Sequence, residues 1–72
     1  MKKEQLQQKI GFRIKELRES KGISQQILAA KCNFEKSNMA RIEAGRTNCT
    51  IFTLFKISEA LEVSLSDVIT IE

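Results

Sequence analysis

Four side chains able to donate a hydrogen bond fall within one short stretch, Lys36-Ser37-Asn38-Met39-Ala40-Arg41-Ile42-Glu43-Ala44. Wound as a helix at about 100° per residue, Lys36, Ser37, Ala40, Arg41 and Ala44 fill an arc of about 140°, and Asn38, Met39, Ile42 and Glu43 fill the other side. The first arc combines charged and hydroxyl donors with two alanines. Long side chains would hold such a helix off a groove floor, whereas alanines let it sit deep. Arginine there can donate a bidentate pair to guanine, lysine can reach a guanine or a phosphate, and serine can serve either role. An ordinary amphipathic helix with a solvated outer face has the same wheel. These residues alone do not separate the two.

Other chemistries have less to stand on. There is no histidine, and the two cysteines, Cys32 and Cys49, lie far apart in sequence. A zinc site would need carboxylates beside two distant thiols, so no metal is expected. Cys32 falls on an apolar helical face and Cys49 in a loop, and both are expected as free thiols rather than a disulfide. Neither a convincing carboxylate pair nor a phosphate-cradling glycine loop is present, so no enzyme, cofactor or small-molecule ligand is expected. No apolar run approaches the roughly 20 residues of a membrane span. The N-terminus leads into polar helix rather than an apolar signal core, so the default expectation is a cytoplasmic protein.

The elements that must position the donor arc are short helices. Leu6, Ile10, Ile14 and Leu17 make one stripe of a first helix from about Lys3 to Lys21. Gly22 is placed to stop it, since glycine takes the left-handed conformation without cost. Ser24 is the expected N-cap of a second helix with Leu28, Ala29 and Cys32 inside. Asn33 then tolerates a tight turn. The third helix, about Lys36 to Ala44, ends at Gly45. Thr50 caps a fourth, in which Ile51, Leu54, Ile57, Ser58 and Leu61 share a face. Ser64-Leu65-Ser66-Asp67 reads as a capping box opening a last helix with Val68 and Ile69. Five helices and no strand predict an all-α fold, with residues 1–72 as one domain. At about 24–45, two helices joined by a tight turn would cross steeply, as in a helix-turn-helix, with Ala29 allowing close approach.

Those residues, read together, resemble the Cro and phage-repressor (XRE-type) helix-turn-helix family from about Ile10 to Ile69. The resemblance is carried by Arg13-Ile14, Leu17-Arg18, Gly22-Ile23-Ser24-Gln25, Leu28-Ala29, Arg41-Ile42-Glu43 with Gly45, and a tail of Leu54, Ile57, Ala60-Leu61 and Val63-Ser64. It implies a compact five-helix, lambda-repressor-like fold and a DNA-binding transcriptional regulator acting as a homodimer on a palindromic operator. Prophage repressors, restriction-modification controllers and antitoxins of this family all include chains of this size. By the same resemblance Lys36, Ser37 and Arg41 read bases, with Asn38 at the edge of that face. Gln25 donates to a phosphate and braces the recognition helix, Ser24 lies near the same strand, and Arg46, Thr47 and Asn48 grip the backbone. Arg18 and Glu43 match a pair that joins the first and third helices. Asn33 stands where the family usually has glycine, Glu35 where it has a small hydroxyl cap, and Cys49 where proline is frequent. A protein-interaction module, antitoxin-like, that keeps the fold without reading DNA is the alternative. It would be favoured by an acidic or apolar recognition face.

Charge and stray apolar residues bear on assembly. Net charge is +3. Residues 1–31 hold eight Lys/Arg against three Asp/Glu, whereas residues 51–72 hold one against four, namely Glu59, Glu62, Asp67 and Glu72. A basic end suited to a polyanion and an acidic end turned away from it are therefore expected. Phe12, Ile27 and Phe52 lie far from the inner stripes of their helices. Phe52, with Phe55 beside it, is the expected dimer interface, while Phe12 and Ile27 are candidates to cover a gap between helices.

Overall fold

The computed structural model describes residues 1–71; Glu72, counted above among the acidic residues, lies outside them. The elements are α1 (Lys3–Ser20), α2 (Gln25–Cys32), α3 (Lys36–Glu43), α4 (Ile51–Leu61) and α5 (Leu65–Val68), with no strand among the described residues. None of these helices is long and apolar enough to cross a membrane.

The helix boundaries follow local chemistry. Ser24, Thr50 and Ser64 each accept the backbone N–H of the residue three positions on, satisfying one of the donors that a helix start leaves unpaired. Asp67 returns a carboxylate bond to the Ser64 N–H and completes the capping box. Glu35 stands before α3 with no side-chain cap bond, so that helix starts on backbone geometry alone. Four helices end alike. Gly22, Asn33, Gly45 and Glu62 all have φ between 59° and 74°. The following N–H reaches back to a carbonyl five residues earlier, as in Ile23 to Arg18 and Phe34 to Ala29. This is the Schellman closure, and at Glu62 a residue with a Cβ adopts it against the usual preference.

Burial gathers one core from every helix. Ile14, Leu28, Met39, Ile57, Leu61 and Val68 are fully buried, with Ala29, Cys32, Ile42 and Leu54 completing the cluster. The residues just past three of the helix ends, Ile23, Phe34 and Val63, pack on its margin and help set the angle at which each chain segment leaves.

Three expectations need correction. Ile51 is 68 % exposed, not part of the inner face of α4. The buried stripe centres on Leu54, Ile57, Ser58 and Leu61, and Ile51 lies about 70° round from that centre, on the side of Phe55. Ile69 is exposed because α5 ends at Val68. Phe12 and Ile27 fill no gap between helices, for both are exposed.

One constraint has no counterpart in the helical pattern. A Cβ built at Gly11 would stand 2.5 Å from the Ile42 carbonyl oxygen and 2.6 Å from that of Glu43. The backbone of α1 therefore rests directly on the last turn of α3. Gly11→Ala should destabilise the fold by about 1–3 kcal/mol through overpacking, although alanine ordinarily favours a helix interior over glycine by about 1 kcal/mol. Urea denaturation measures it. A variant at least as stable as the parent would mean that the two helices are free to separate.

Candidate nucleic-acid interface

The orientation of α3 is fixed from inside by a charged cluster. Arg18 on α1 donates through Nε to Glu43 Oε2 at 2.7 Å and through a terminal nitrogen to Oε1 at 3.1 Å. Its other terminal nitrogen donates to the Ile23 carbonyl at 2.8 Å. Gln25, at the first position of α2, donates from Nε2 to Glu43 Oε1 at 3.0 Å. The carboxylate thus holds three elements at once: α1, the start of α2 and the end of α3. Its fork with the guanidinium is the planar, two-bond arrangement that arginine favours. The hydrogen bond to Glu43 raises the Arg18 pKa above its ordinary value, outweighing the opposing effect of burial. No buried side-chain nitrogen or oxygen among the described residues is left without a partner.

With Met39, Ile42 and Glu43 turned inward, the rest of α3 faces out. Lys36, Ser37, Asn38, Arg41 and Ala44 are exposed, and Ala40 is half-buried at the foot of the arc. Asn38 sits on the outer side and not among the inner residues where the wheel grouped it. Among the described residues, the side chains of Lys36, Ser37, Asn38 and Arg41 make no hydrogen bond or ion pair. The contrast with Arg18 is sharp in electrostatic terms. One arginine is consumed internally and the other is left free to find an acceptor outside.

The loop after α3 continues this free surface. The Arg46 N–H closes the helix by bonding to the Arg41 carbonyl at 3.0 Å. At the three other Schellman ends the next residue is an apolar plug, Ile23, Phe34 or Val63. Here it is an exposed arginine with no internal partner. Thr47 is half-buried and Asn48 exposed beside it. Ser24 is exposed at the start of α2, its oxygen accepting from the Ile27 N–H at 3.1 Å while its own hydroxyl proton remains available. Gln25 is committed to Glu43 through one amide proton, which leaves the second for another acceptor.

The remaining residues of interest lie elsewhere. Phe52 and Phe55 are exposed on α4, and Ile51 adds a third bulky apolar side chain to them. Cys32 is buried and Cys49 half-buried, both free, and burial raises both thiol pKa values. No group of three potential metal ligands occurs among the described residues. Two features escaped the sequence reading. Phe34 caps the turn between α2 and α3, with the Lys56 ammonium 4.9 Å from its ring centroid, tying that turn to α4. Gly11 is the other; a glycine in mid-helix was the available signal.

The chain has recognisable relatives. The family model HTH_3, helix-turn-helix, matches residues 14–68. The uncharacterized HTH-type transcriptional regulator y4dJ of Sinorhizobium fredii is 33 % identical over 61 residues, 85 % of this chain and 79 % of that protein. Two solved structures are similar. The restriction-modification controller protein C.AhdI from Aeromonas hydrophila superposes with a TM-score of 0.82 at 31 % identity, covering 85 % of this chain and 92 % of that one. The wild-type restriction-modification controller protein C.Esp1396I gives a TM-score of 0.78 at 41 % identity, over 82 % and 77 % of the two chains.

Breaking the internal cluster should be costly. Arg18→Ala or Glu43→Ala leaves one charge buried without its partner, at an expected cost of about 3–5 kcal/mol. Replacing both by apolar residues of similar size, Arg18→Met with Glu43→Leu, should recover most of that loss. Thermal melts followed by circular dichroism compare the three. Single variants melting with the parent would show that the pair carries no structural weight.

Proposed function

The chain belongs to the HTH_3 family of helix-turn-helix transcriptional regulators, and from that membership we propose that it binds double-stranded DNA sequence-specifically, as a homodimer on a palindromic operator. The observation that carries this reading is the row of exposed, internally unpartnered donors on α3 and the loop that follows, Lys36, Ser37, Asn38, Arg41 and Arg46. A solvated helix face carries donors as well; membership in a helix-turn-helix family favours reading these, with the small Ala40 and Ala44 between them, as a groove-facing arc. A major-groove reader needs both the donors and the small residues.

The roles divide by reach. Arg41 donates to a guanine edge, Lys36 and Ser37 contact bases or the adjoining phosphate, and Asn38 works at the margin. Arg46, Thr47 and Asn48 bind the sugar-phosphate backbone from the loop. Ser24 and Gln25 bind it from the start of α2, where the helix N-terminus favours an anion. Backbone contacts set register and base contacts set sequence. Gln25 couples the two, since it also holds Glu43 at the end of α3.

One recognition helix covers only a few base pairs, too few for selection within a genome. Two copies about one DNA turn apart (~34 Å) would read a two-fold site from one side of the duplex. The outward face of α4 suits the dimer contact: Phe52 and Phe55 are exposed and Ile51 extends the patch, while the acidic residues near the C-terminal end disfavour a DNA-facing role. Resemblance to two restriction-modification controller proteins favours that subtype, acting in the cytoplasm by occupying its operator.

Arg41→Ala should relax base preference, costing on the order of 1–3 kcal/mol against the preferred site, while Arg46→Ala should weaken all sequences alike. Selection from random duplex DNA followed by anisotropy titration tests both, and matching selectivity profiles for the two variants would abolish the division of roles. If the parent prefers no sequence over random duplex, the regulator reading itself fails.

The dimer has its own test. Phe52→Glu should give a folded monomer with much weaker operator binding. Sedimentation together with circular dichroism decides, and a variant that dimerises as tightly as the parent removes Phe52 from the interface.

A further inference from the structure

The first turn of α1 lies against the loop that follows α3. Lys3, Leu6 and Gln7 on one side and Thr47, Asn48 and Cys49 on the other line a cavity of about 40 Å³. A space of that size, room for a few water molecules at most, makes the two segments neighbours on one surface. The junction also has little slack. Gly45 packs so closely on α1 that a Cβ added there would stand 2.6 Å from Gln8 Cα. At the other end, the Lys2 N–H donates to Gln5 Oε1 at 3.0 Å and the Leu6 N–H to the Lys2 carbonyl at 3.1 Å, so α1 is wound from Lys3 onward.

Lys3 is exposed at the rim of this junction and has no hydrogen bond or ion pair among the described residues. Its ammonium, on a flexible four-carbon stem, can follow a ligand that approaches Thr47 and Asn48. Glu4, the acidic residue of the first turn, is about 100° round the helix from Lys3 and off the rim. Lys9 points to a different side of α1, lining the open groove with Phe12 and Ile71.

We infer that Lys3 is an additional DNA contact, its ammonium neutralising a backbone phosphate next to the one held by Thr47 and Asn48. This rests on the proposed DNA binding and extends the footprint from the helix-turn-helix to the start of the chain. It also gives the basic N-terminal segment a specific role beyond its general attraction for a polyanion. The contact carries no sequence information, because a phosphate is the same at every step.

The salt dependence of binding isolates it. Titrations run over a range of salt, on the site the parent selects and on random duplex. Lys3→Ala should reduce the slope of log K against log salt by about 1.8 for the dimer, about 0.9 for the counterion released at each of its two Lys3 contacts, equally on both DNAs. Lys3→Arg should keep the parent slope, and Lys9→Ala should leave it unchanged. An unaltered slope in Lys3→Ala, or an equal reduction in Lys9→Ala, overturns this contact while DNA binding by the parent stands. A parent that selects no sequence overturns the regulator reading, and the contact with it.

Discussion

The placement of α3 depends on one buried carboxylate. Glu43 sits at the last position of α3 and takes bonds from Arg18 and Gln25. Removing a charge from water costs several kcal/mol, and only well-aligned partners offset it. The carboxylate is therefore stable only where the guanidinium fork and the amide meet it together. That requirement converts a general hydrophobic collapse into a defined crossing of α1, α2 and α3. Apolar contacts alone would tolerate small rotations of so short a helix. A two-bond fork at fixed distances tolerates much less.

Close backbone approach works in the same direction. Gly11 lets α1 settle onto the carbonyls of the last turn of α3, and Gly45 lets the next loop settle onto α1. The internal cluster and the glycine contacts act on the same end of α3. Its exposed donors consequently project from a base with few soft degrees of freedom. Such a base lowers the entropic cost of binding, because less has to be ordered when a ligand arrives.

The chain uses its helix ends economically. Three Schellman closures send an apolar residue back to the core margin, and the fourth sends Arg46 outward. The backbone solution is the same in each case, so the change is one of side chain alone. It turns a folding device into a piece of exposed basic surface. Two arginines are likewise separated by setting: Arg18 is spent on Glu43, whereas Arg41 is exposed and has no acceptor among the described residues.

Local chemistry in the sequence determined the helices and their limits. The caps at Ser24, Thr50 and Ser64 and the left-handed ends at Gly22, Asn33 and Gly45 involve residues within a few positions of one another, so their pattern is visible along the chain. The donor arc on α3 was legible for the same reason, since a helix wheel needs only spacing. The link between Arg18 and Glu43 reached the sequence reading through family resemblance, because nothing in either local stretch requires the other. Tertiary structure alone decided that Gln25 reaches α3 through Glu43, that Gly11 is a contact point, that Phe34 seals a turn beneath Lys56, and that Ile51 faces out. It alone set Lys3 beside Thr47 and Asn48. All of these turn on how far each helix is rotated about its axis and how closely it approaches its neighbours. Those quantities are fixed by packing among residues distant in sequence, and periodicity along one helix does not contain them.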